Sequence, residues 1–137
     1  MESIFQISND KSKLDVNLIH DYLSIESYWA KGRSIETVVK SIDNSLCFGV
    51  FCDSKQVGFA RVVTDYAVFA WIMDVFILEN YRKRGLGKEL IKNIMNHENL
   101  QNLQRWGLGT EDAHGLYEKF GFRLLGKPEN MMELKRT

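Results

Sequence analysis

The sequence contains little proline and cysteine and shows no excess of either charge. Pro128 is the single proline among 137 residues, and Cys47 and Cys52 are the two cysteines. Neither cysteine belongs to a CxxC pair or has a histidine nearby. This spacing disfavours both a zinc site and a disulfide framework. We therefore expect both cysteines to pack in the interior and expect no metal.

The charge balance restricts the partners that the chain can bind. Lysine plus arginine and aspartate plus glutamate each number 18, so the formal net charge is zero. A balanced chain has no global attraction for nucleic acid or an anionic membrane. The longest apolar run, residues 66–78, is interrupted by Asp74 and is too short to span a bilayer. The N-terminus lacks a basic-then-apolar signal sequence. We expect a cytoplasmic protein with neither kind of partner.

Length and hydrophobic periodicity together predict one mixed domain covering residues 1–137. The predicted order is strand, two helices, three strands, helix, strand, helix and two strands. The first helix covers residues 14–24, the second begins at Ser34 as N-cap, and the last two strands are "FRLLG" and "MMELK". This order predicts an α/β (α+β) fold, with a mostly antiparallel mixed sheet of about seven strands flanked by four helices.

The stretch "YRKRGLGKEL" concentrates basic residues and glycines between the long apolar strand "AVFAWIMDVFIL" and an amphipathic helix. A helix start carries unpaired amides, and Gly85 and Gly87 would allow an anion to approach the backbone closely. Neither the spacing of a P-loop nor that of a dinucleotide-binding loop fits, because Lys88 precedes Glu89 and Leu90 occupies the third position after Gly87. Two interpretations of this stretch remain, namely a pyrophosphate site formed by main-chain amides and an ordinary charged helix start exposed to solvent.

Two motifs in this order give the sequence a family resemblance. Arg82-x-x-Gly85-x-Gly87 resembles the Gln/Arg-x-x-Gly-x-Gly/Ala signature of the GNAT superfamily of acyl-CoA-dependent N-acetyltransferases. The downstream "GLYEKFGF" resembles the second signature of that family, a helix carrying a tyrosine followed by Gly-Phe. The resemblance implies a GNAT-like fold, acetyl-CoA as cosubstrate and transfer of an acetyl group to an amine.

The resemblance also implies roles for individual positions. The backbone of the loop would hold the coenzyme A pyrophosphate, and a strand segment would pair with the pantetheine arm and polarise the thioester carbonyl. The loop residues are Arg82, Lys83, Arg84, Gly85, Leu86, Gly87 and Lys88, and the strand residues are Val75, Phe76 and Ile77. Tyr117 matches the family tyrosine that protonates the departing thiolate. From its apolar helical face alone, Tyr117 would be a packed core residue.

The general base is less well defined, because "RWGLGT" lacks the glutamate that many members carry. Asp74 is the best candidate as the lone charge within an apolar strand, although it could equally be a carboxylate satisfied by structural hydrogen bonds. Glu111 and Asp112 are weaker candidates, since acids at a helix start are expected for capping.

For the acceptor pocket, the resemblance points to the loop between the N-terminal helices. This loop contributes "YWAKGR", and Arg33 could hold a substrate carboxylate or be an ordinary surface arginine. The predicted substrate-binding residues are Tyr28, Trp29, Arg33 and Tyr66, with Arg61, Trp71 and His114 as further candidates.

These observations predict a direct-attack acetyltransferase acting on a primary amine of a small molecule. A protein Nα or lysine acceptor, and an acyl-CoA-binding sensor with little turnover, remain as alternatives. Cys47 and Cys52 lie outside the motif region, which disfavours a covalent cysteine intermediate. Pairing of sheet edges would allow a homodimer.

Overall fold

The computed structural model describes residues 4–136 and contains five strands and four α-helices in that range. In chain order these elements are β1 (Phe5–Ser8), α1 (Val16–Asp21), α2 (Ile35–Asp43), β2 (Leu46–Cys52), β3 (Lys55–Thr64), β4 (Phe69–Ile77), α3 (Leu86–Met95), β5 (Arg105–Leu108) and α4 (His114–Glu118). A π-helical turn at Tyr22–Glu26 extends α1. None of the helices in this range is long and apolar enough to cross a bilayer.

One sheet runs through the molecule in the order β1-β2-β3-β4-β5. The first three pairings are antiparallel, and β4 and β5 are parallel. The prediction of a mostly antiparallel mixed sheet with four helices is therefore confirmed. Ser34 also caps α2 as predicted, because its hydroxyl accepts a hydrogen bond from the Thr37 amide at 3.2 Å.

The predicted count of about seven strands is too high by two. "FRLLG" and "MMELK" form no strand, and Pro128–Asn130 between them is a 3₁₀ turn. Leu124 and Leu134 are 82% and 80% exposed, so alternating residues in this segment gain little burial. A strand forms only where a neighbouring strand edge is available as well as local propensity, and the sequence pattern indicates local propensity alone.

Two apolar cores lie against the sheet. The core on the α3 side combines Leu90, Ile91 and Ile94 with Phe48 and Val50 of β2. The core on the α1 and α2 side is built from Ile19, Leu23, Val38, Ile42, Cys47, Phe59 and Phe76. Adjacent β2 residues Cys47 and Phe48 thus face opposite cores, as the two-residue period of a strand requires. Both cysteines are buried and free, as predicted.

An irregularity in β4 opens the sheet next to β5. Arg61 of β3 pairs with Met73 and Phe59 pairs with Phe76, so Asp74 and Val75 together stand opposite one β3 residue. Asp74 has a φ of 54°, which is rare for a residue with a side chain. The pairing of β4 with β5 stops at Ile72. Beyond that point the outer edge of β4 borders a cleft instead of a strand.

Candidate active site

The segment between β4 and α3 presents a run of unpaired backbone amides. Arg82 N–H donates to Glu79 O at 3.2 Å, and the next amide with a main-chain acceptor is that of Glu89, which donates to Gly85 O at 3.0 Å. Within residues 4–136, the six amides of residues 83–88 have no protein acceptor. Lys83 and Gly85 have φ of 64° and 77°, and no side chain caps α3. Such a curved run at a helix start suits an anion.

The two arginines of this segment contact protein groups in and beside the loop. Arg82 Nε donates to Ile77 O at 2.9 Å, and its Nη2 donates to the Tyr22 hydroxyl at 2.8 Å. Arg84 donates to Asn80 O at 3.3 Å and its guanidinium lies over the Tyr81 ring, 5.3 Å from the centroid. Both guanidinium groups thus already contact protein atoms, whereas the amides of residues 83–88 have no acceptor within residues 4–136.

A cavity of about 560 Å³ adjoins these amides, and we call it the loop cavity. Eight of the ten residues predicted to bind the coenzyme line it, and these are Val75, Phe76, Ile77, Arg82, Lys83, Gly85, Leu86 and Gly87. Arg84 and Lys88 are absent from the lining. Tyr22 also lines this cavity, and its ring stacks on Phe76 with centroids 4.0 Å apart. Tyr22 could not be assigned to this cavity from the sequence, where its one signal is its place on an apolar helical face.

A second cavity of about 560 Å³ lies where β4 and β5 diverge, and we call it the Asp74 cavity. Of the predicted substrate residues, Tyr28, Trp29 and Arg33 line it, as do Asp74 and Trp71. The two cavities share six lining residues, which are Tyr28, Trp29, Val75, Asp112, Ala113 and Tyr117. They therefore adjoin each other, with Val75 and Tyr117 at the junction.

The loop between α1 and α2 closes over this junction. The Tyr28 hydroxyl accepts a hydrogen bond from the Glu111 amide at 2.8 Å, which joins this loop to the segment between β5 and α4. The rings of Tyr28 and Trp29 meet edge to face with centroids 5.0 Å apart. This hydrogen bond joins two segments that lie 83 positions apart in the sequence, and the loop between α1 and α2 supplies both aromatic rings.

Asp74 lies at the centre of a buried polar network. Its Oδ1 accepts from Trp29 Nε1 and its Oδ2 accepts from Arg33 Nη1 and Arg61 Nε, all at 2.9 Å. Only 5% of Asp74 is exposed. Arg61 makes two further contacts, to Ser45 Oγ at 3.1 Å and to the Met73 sulfur at 3.5 Å. The predicted base is therefore a carboxylate whose two oxygens both accept hydrogen bonds from protein donors.

Tyr117 is buried at the junction, with 7% of the residue exposed. Burial raises the pKa of its phenol to about 12, and Tyr28 and the Asp112 carboxylate add to the effect. Within residues 4–136 its hydroxyl makes no hydrogen bond. Tyr117 is thus neutral at ordinary pH and able to donate its proton into the cavities.

Of four other predicted residues, three line a cavity and one lies away from the site. Tyr66 is in the turn between β3 and β4, half exposed, and lines neither cavity, so the structure does not bring it to the site. The Asp65 carboxylate fixes that turn by accepting from the amides of residues 67–69 at 2.8–3.1 Å. His114 lines a third cavity of about 520 Å³, beside Trp71 and Tyr117. Glu111 and Asp112 are exposed at the rim of the Asp74 cavity.

Comparison with known proteins identifies the family. A family model described as an acetyltransferase (GNAT) domain matches residues 43–124. The chain belongs to the GNAT acetyltransferase family. The match covers both sequence motifs and the β4 irregularity. Members of this family use acetyl-CoA as cosubstrate.

Solved and curated relatives agree with this GNAT assignment. A solved structure from Xanthomonas campestris pv. campestris, assigned to the GNAT family, is 47% identical, covers 97% of this chain and 94% of that one, and has a TM-score of 0.95. A curated Gibberella zeae protein whose name proposes acetyltransferase activity is 28% identical over 137 positions, covering 84% of this chain and 76% of the relative. Glucosamine-6-phosphate N-acetyltransferase from Arabidopsis thaliana is 16% identical, with coverage of 98% of both chains and a TM-score of 0.66, and this likeness concerns the fold alone.

Proposed function

We propose that this protein is a single-domain N-acetyltransferase, spanning residues 1–137, that transfers an acetyl group from acetyl-CoA to a primary amine of a small molecule. Attack is direct, within a ternary complex. The observation that carries this proposal is the junction of the loop cavity and the Asp74 cavity at Val75 and Tyr117. One cavity has an anion-binding backbone and the other has mixed charges and aromatic walls, so donor and acceptor can each occupy one.

The loop cavity fits the donor. The pyrophosphate of acetyl-CoA would accept hydrogen bonds from the amides of residues 83–88, and the dipole of the ten-residue α3 would favour its charge. The pantetheine arm would follow the outer edge of β4 past Ile77 and Phe76, where no strand competes for the backbone. The amide near Val75 would then polarise the thioester carbonyl.

The proposed reaction forms one C–N bond and breaks one C–S bond. The neutral amine attacks the thioester carbonyl carbon, and collapse of the intermediate expels the coenzyme A thiolate. Tyr117 donates its phenolic proton to the sulfur and is later reprotonated from solvent. The proton of the amine passes to water or to a carboxylate beside the Asp74 cavity, which acts as the general base. The prediction of Asp74 as that base stays a prediction, and the exposed Glu111 and Asp112 border the same cavity.

Acetyl-CoA titration by calorimetry, followed by a thiol-release assay over a panel of small primary amines, tests this function. We expect one saturable binding site and release of coenzyme A that depends on the amine. Kinetics at varied concentrations of both substrates should give intersecting lines, because no covalent enzyme intermediate forms. Binding without turnover on any amine would instead indicate an acyl-CoA sensor, and no binding would refute both functions.

A further inference from the structure

The polar network around Asp74 carries an unbalanced charge. Two guanidinium groups, those of Arg33 and Arg61, pair with the single Asp74 carboxylate at 2.9 Å. These are the only ion pairs that either arginine makes within residues 4–136. The side chains of Arg61 and Asp74 are 9% and 1% exposed, and that of Arg33 is 20% exposed. One positive charge is therefore left largely out of water, where charges are normally paired.

Arg33 is the member of the network that can accept a further anion. All three nitrogens of the Arg61 guanidinium already donate to protein acceptors, namely Asp74, Ser45 and Met73. Within residues 4–136 the Arg33 guanidinium makes one hydrogen bond, from Nη1 to Asp74, and Arg33 lines the Asp74 cavity. A guanidinium has five N–H donors in a planar fork that suits a carboxylate. Asp74 holds this fork in place and acts as its positioning residue.

The rim of the same cavity has the opposite charge. Glu111 and Asp112 are exposed there, close to the proposed acid Tyr117. Two carboxylates raise the local concentration of an ammonium group, which then loses a proton before attack. Trp29 and Trp71 add apolar surface to the lining of the same cavity.

On the basis of the proposed function, we infer that the acceptor is a primary amine carrying a carboxylate, which Arg33 binds while the amine lies beside Tyr117. The net charge of the network is that of one monocation, and it matches a carboxylate rather than a dianionic phosphate. Amino acids and amino-acid-like compounds form the substrate class.

A ladder of paired compounds tests the inference by binding, independently of turnover. Amino acids with the amine at the end of the chain, from glycine to aminohexanoate, are compared by calorimetry with n-alkylamines of equal length, on protein saturated with coenzyme A. A second set pairs α-amino acids with their decarboxylated amines. We expect at least one length or pair in which the carboxylate tightens binding about tenfold or more, as a charge-assisted hydrogen bond would.

Substitution of Arg33 assigns the preference to its guanidinium. Arg33→Gln should abolish the difference in affinity between paired compounds while changing the affinity for the alkylamine less than about twofold. Arg33→Lys should retain part of that difference in affinity. Lys31→Gln removes the same charge from the exposed part of the same loop and should leave the preference intact. Thermal melts of all three variants establish that they are folded. In turnover, Arg33→Gln should raise KM for the carboxylate-bearing amine and leave kcat nearly unchanged.

Three results would overturn the inference. The first is that the protein binds no carboxylate-bearing amine more tightly than its paired amine. The second is that it binds a phosphomonoester such as phosphoethanolamine more tightly than the carboxylate-bearing amines. The third is that Arg33→Gln weakens the binding of both members of a pair equally. A different measurement would refute the proposed function, namely that acetyl-CoA supports no acetylation of any amine. That result does not depend on how the paired compounds bind.

Discussion

A glutamate at position 85 provides the sharpest test of the proposed pyrophosphate site. Gly85 is the N-cap of α3 with a φ of 77°, and a Cβ built on it meets no protein atom within 4 Å. A new side chain there therefore meets the ligand rather than the protein. The proposed phosphates would lie against the amides of residues 83–88, so Gly85→Glu introduces both bulk and like charge at the site.

Backbone strain should lower the stability of the position-85 variants, and side-chain bulk and charge should weaken their binding of acetyl-CoA. The left-handed backbone costs a residue with a Cβ about 1–2 kcal/mol, so both Gly85→Glu and its neutral counterpart Gly85→Gln should melt roughly 3–7 °C lower. Bulk that displaces one charge-assisted hydrogen bond costs about 1.5–3 kcal/mol, or roughly 10- to 100-fold in Kd. The added charge contributes up to about 4 kcal/mol at 4 Å, reduced by solvent screening.

Calorimetry with acetyl-CoA on four proteins resolves these contributions. We expect Kd to rise in the order wild type, Gly85→Gln and Gly85→Glu, with the last close to no detectable binding. Gly87→Ala is the control, because its Cβ would lie 3.8 Å from Leu116, an ordinary contact, and the backbone there is not left-handed. Its Kd should stay within a few-fold of wild type. Unchanged affinity in Gly85→Glu would refute the assignment of the loop.

The remaining predictions concern the proposed acid, the charge network and alkaline stability. Tyr117→Phe should lower kcat about 100-fold in the thiol-release assay, as for loss of a general acid, and leave the Kd of acetyl-CoA unchanged; undiminished turnover would mean that water protonates the thiolate. Asp74→Asn leaves two guanidinium groups unpaired and should cost about 3–5 kcal/mol of unfolding free energy, and an unaltered denaturant midpoint would contradict the buried network. Burial raises the pKa of the Cys47 thiol from 9.0 to about 11, so its share of stability is complete below pH 9.0 and declines as the pH rises through about 11. Chemical denaturation across that range should show a smaller decline for Cys47→Ala than for wild type.

The anion-binding loop could be predicted from the sequence because its parts are contiguous. A strand, two glycines with one residue between them and an amphipathic helix specify a local geometry with free amides, and the structure contains these elements in that order. Backbone dihedrals at Gly85 follow from residue type within a few positions. The roles of the individual residues in binding coenzyme A stay predictions.

The charge network could not be predicted as a unit, since its members come from distant segments. Arg33 and Trp29 lie 41 and 45 positions from Asp74, and no local period links them. One part of the network did have a signal. Arg61 and Asp74 are opposite charges within the apolar stretches of neighbouring strands, and burial of either would require a partner. The predicted alternative for Asp74, a carboxylate satisfied by hydrogen bonds, describes the contacts that the structure has.

The two wrong strands have a related cause. "FRLLG" and "MMELK" satisfy the local pattern, but whether a strand forms depends on a partner edge and on burial of one face. Leu124 and Leu134 gain neither, and Pro128 begins a 3₁₀ turn between the two segments.

The β4 irregularity links the two halves of the proposed site. The residues that stand opposite one β3 position are Asp74, which anchors Arg33, and Val75, which lies at the junction of the cavities. The donor side depends on backbone that any chain with the two glycines can form, whereas the acceptor side depends on side chains from three separate segments. Membership of the family therefore indicates the acyl donor and leaves the acceptor open. Changes in the loop should weaken turnover of every amine alike, and changes at Arg33 should separate one class of amine from another.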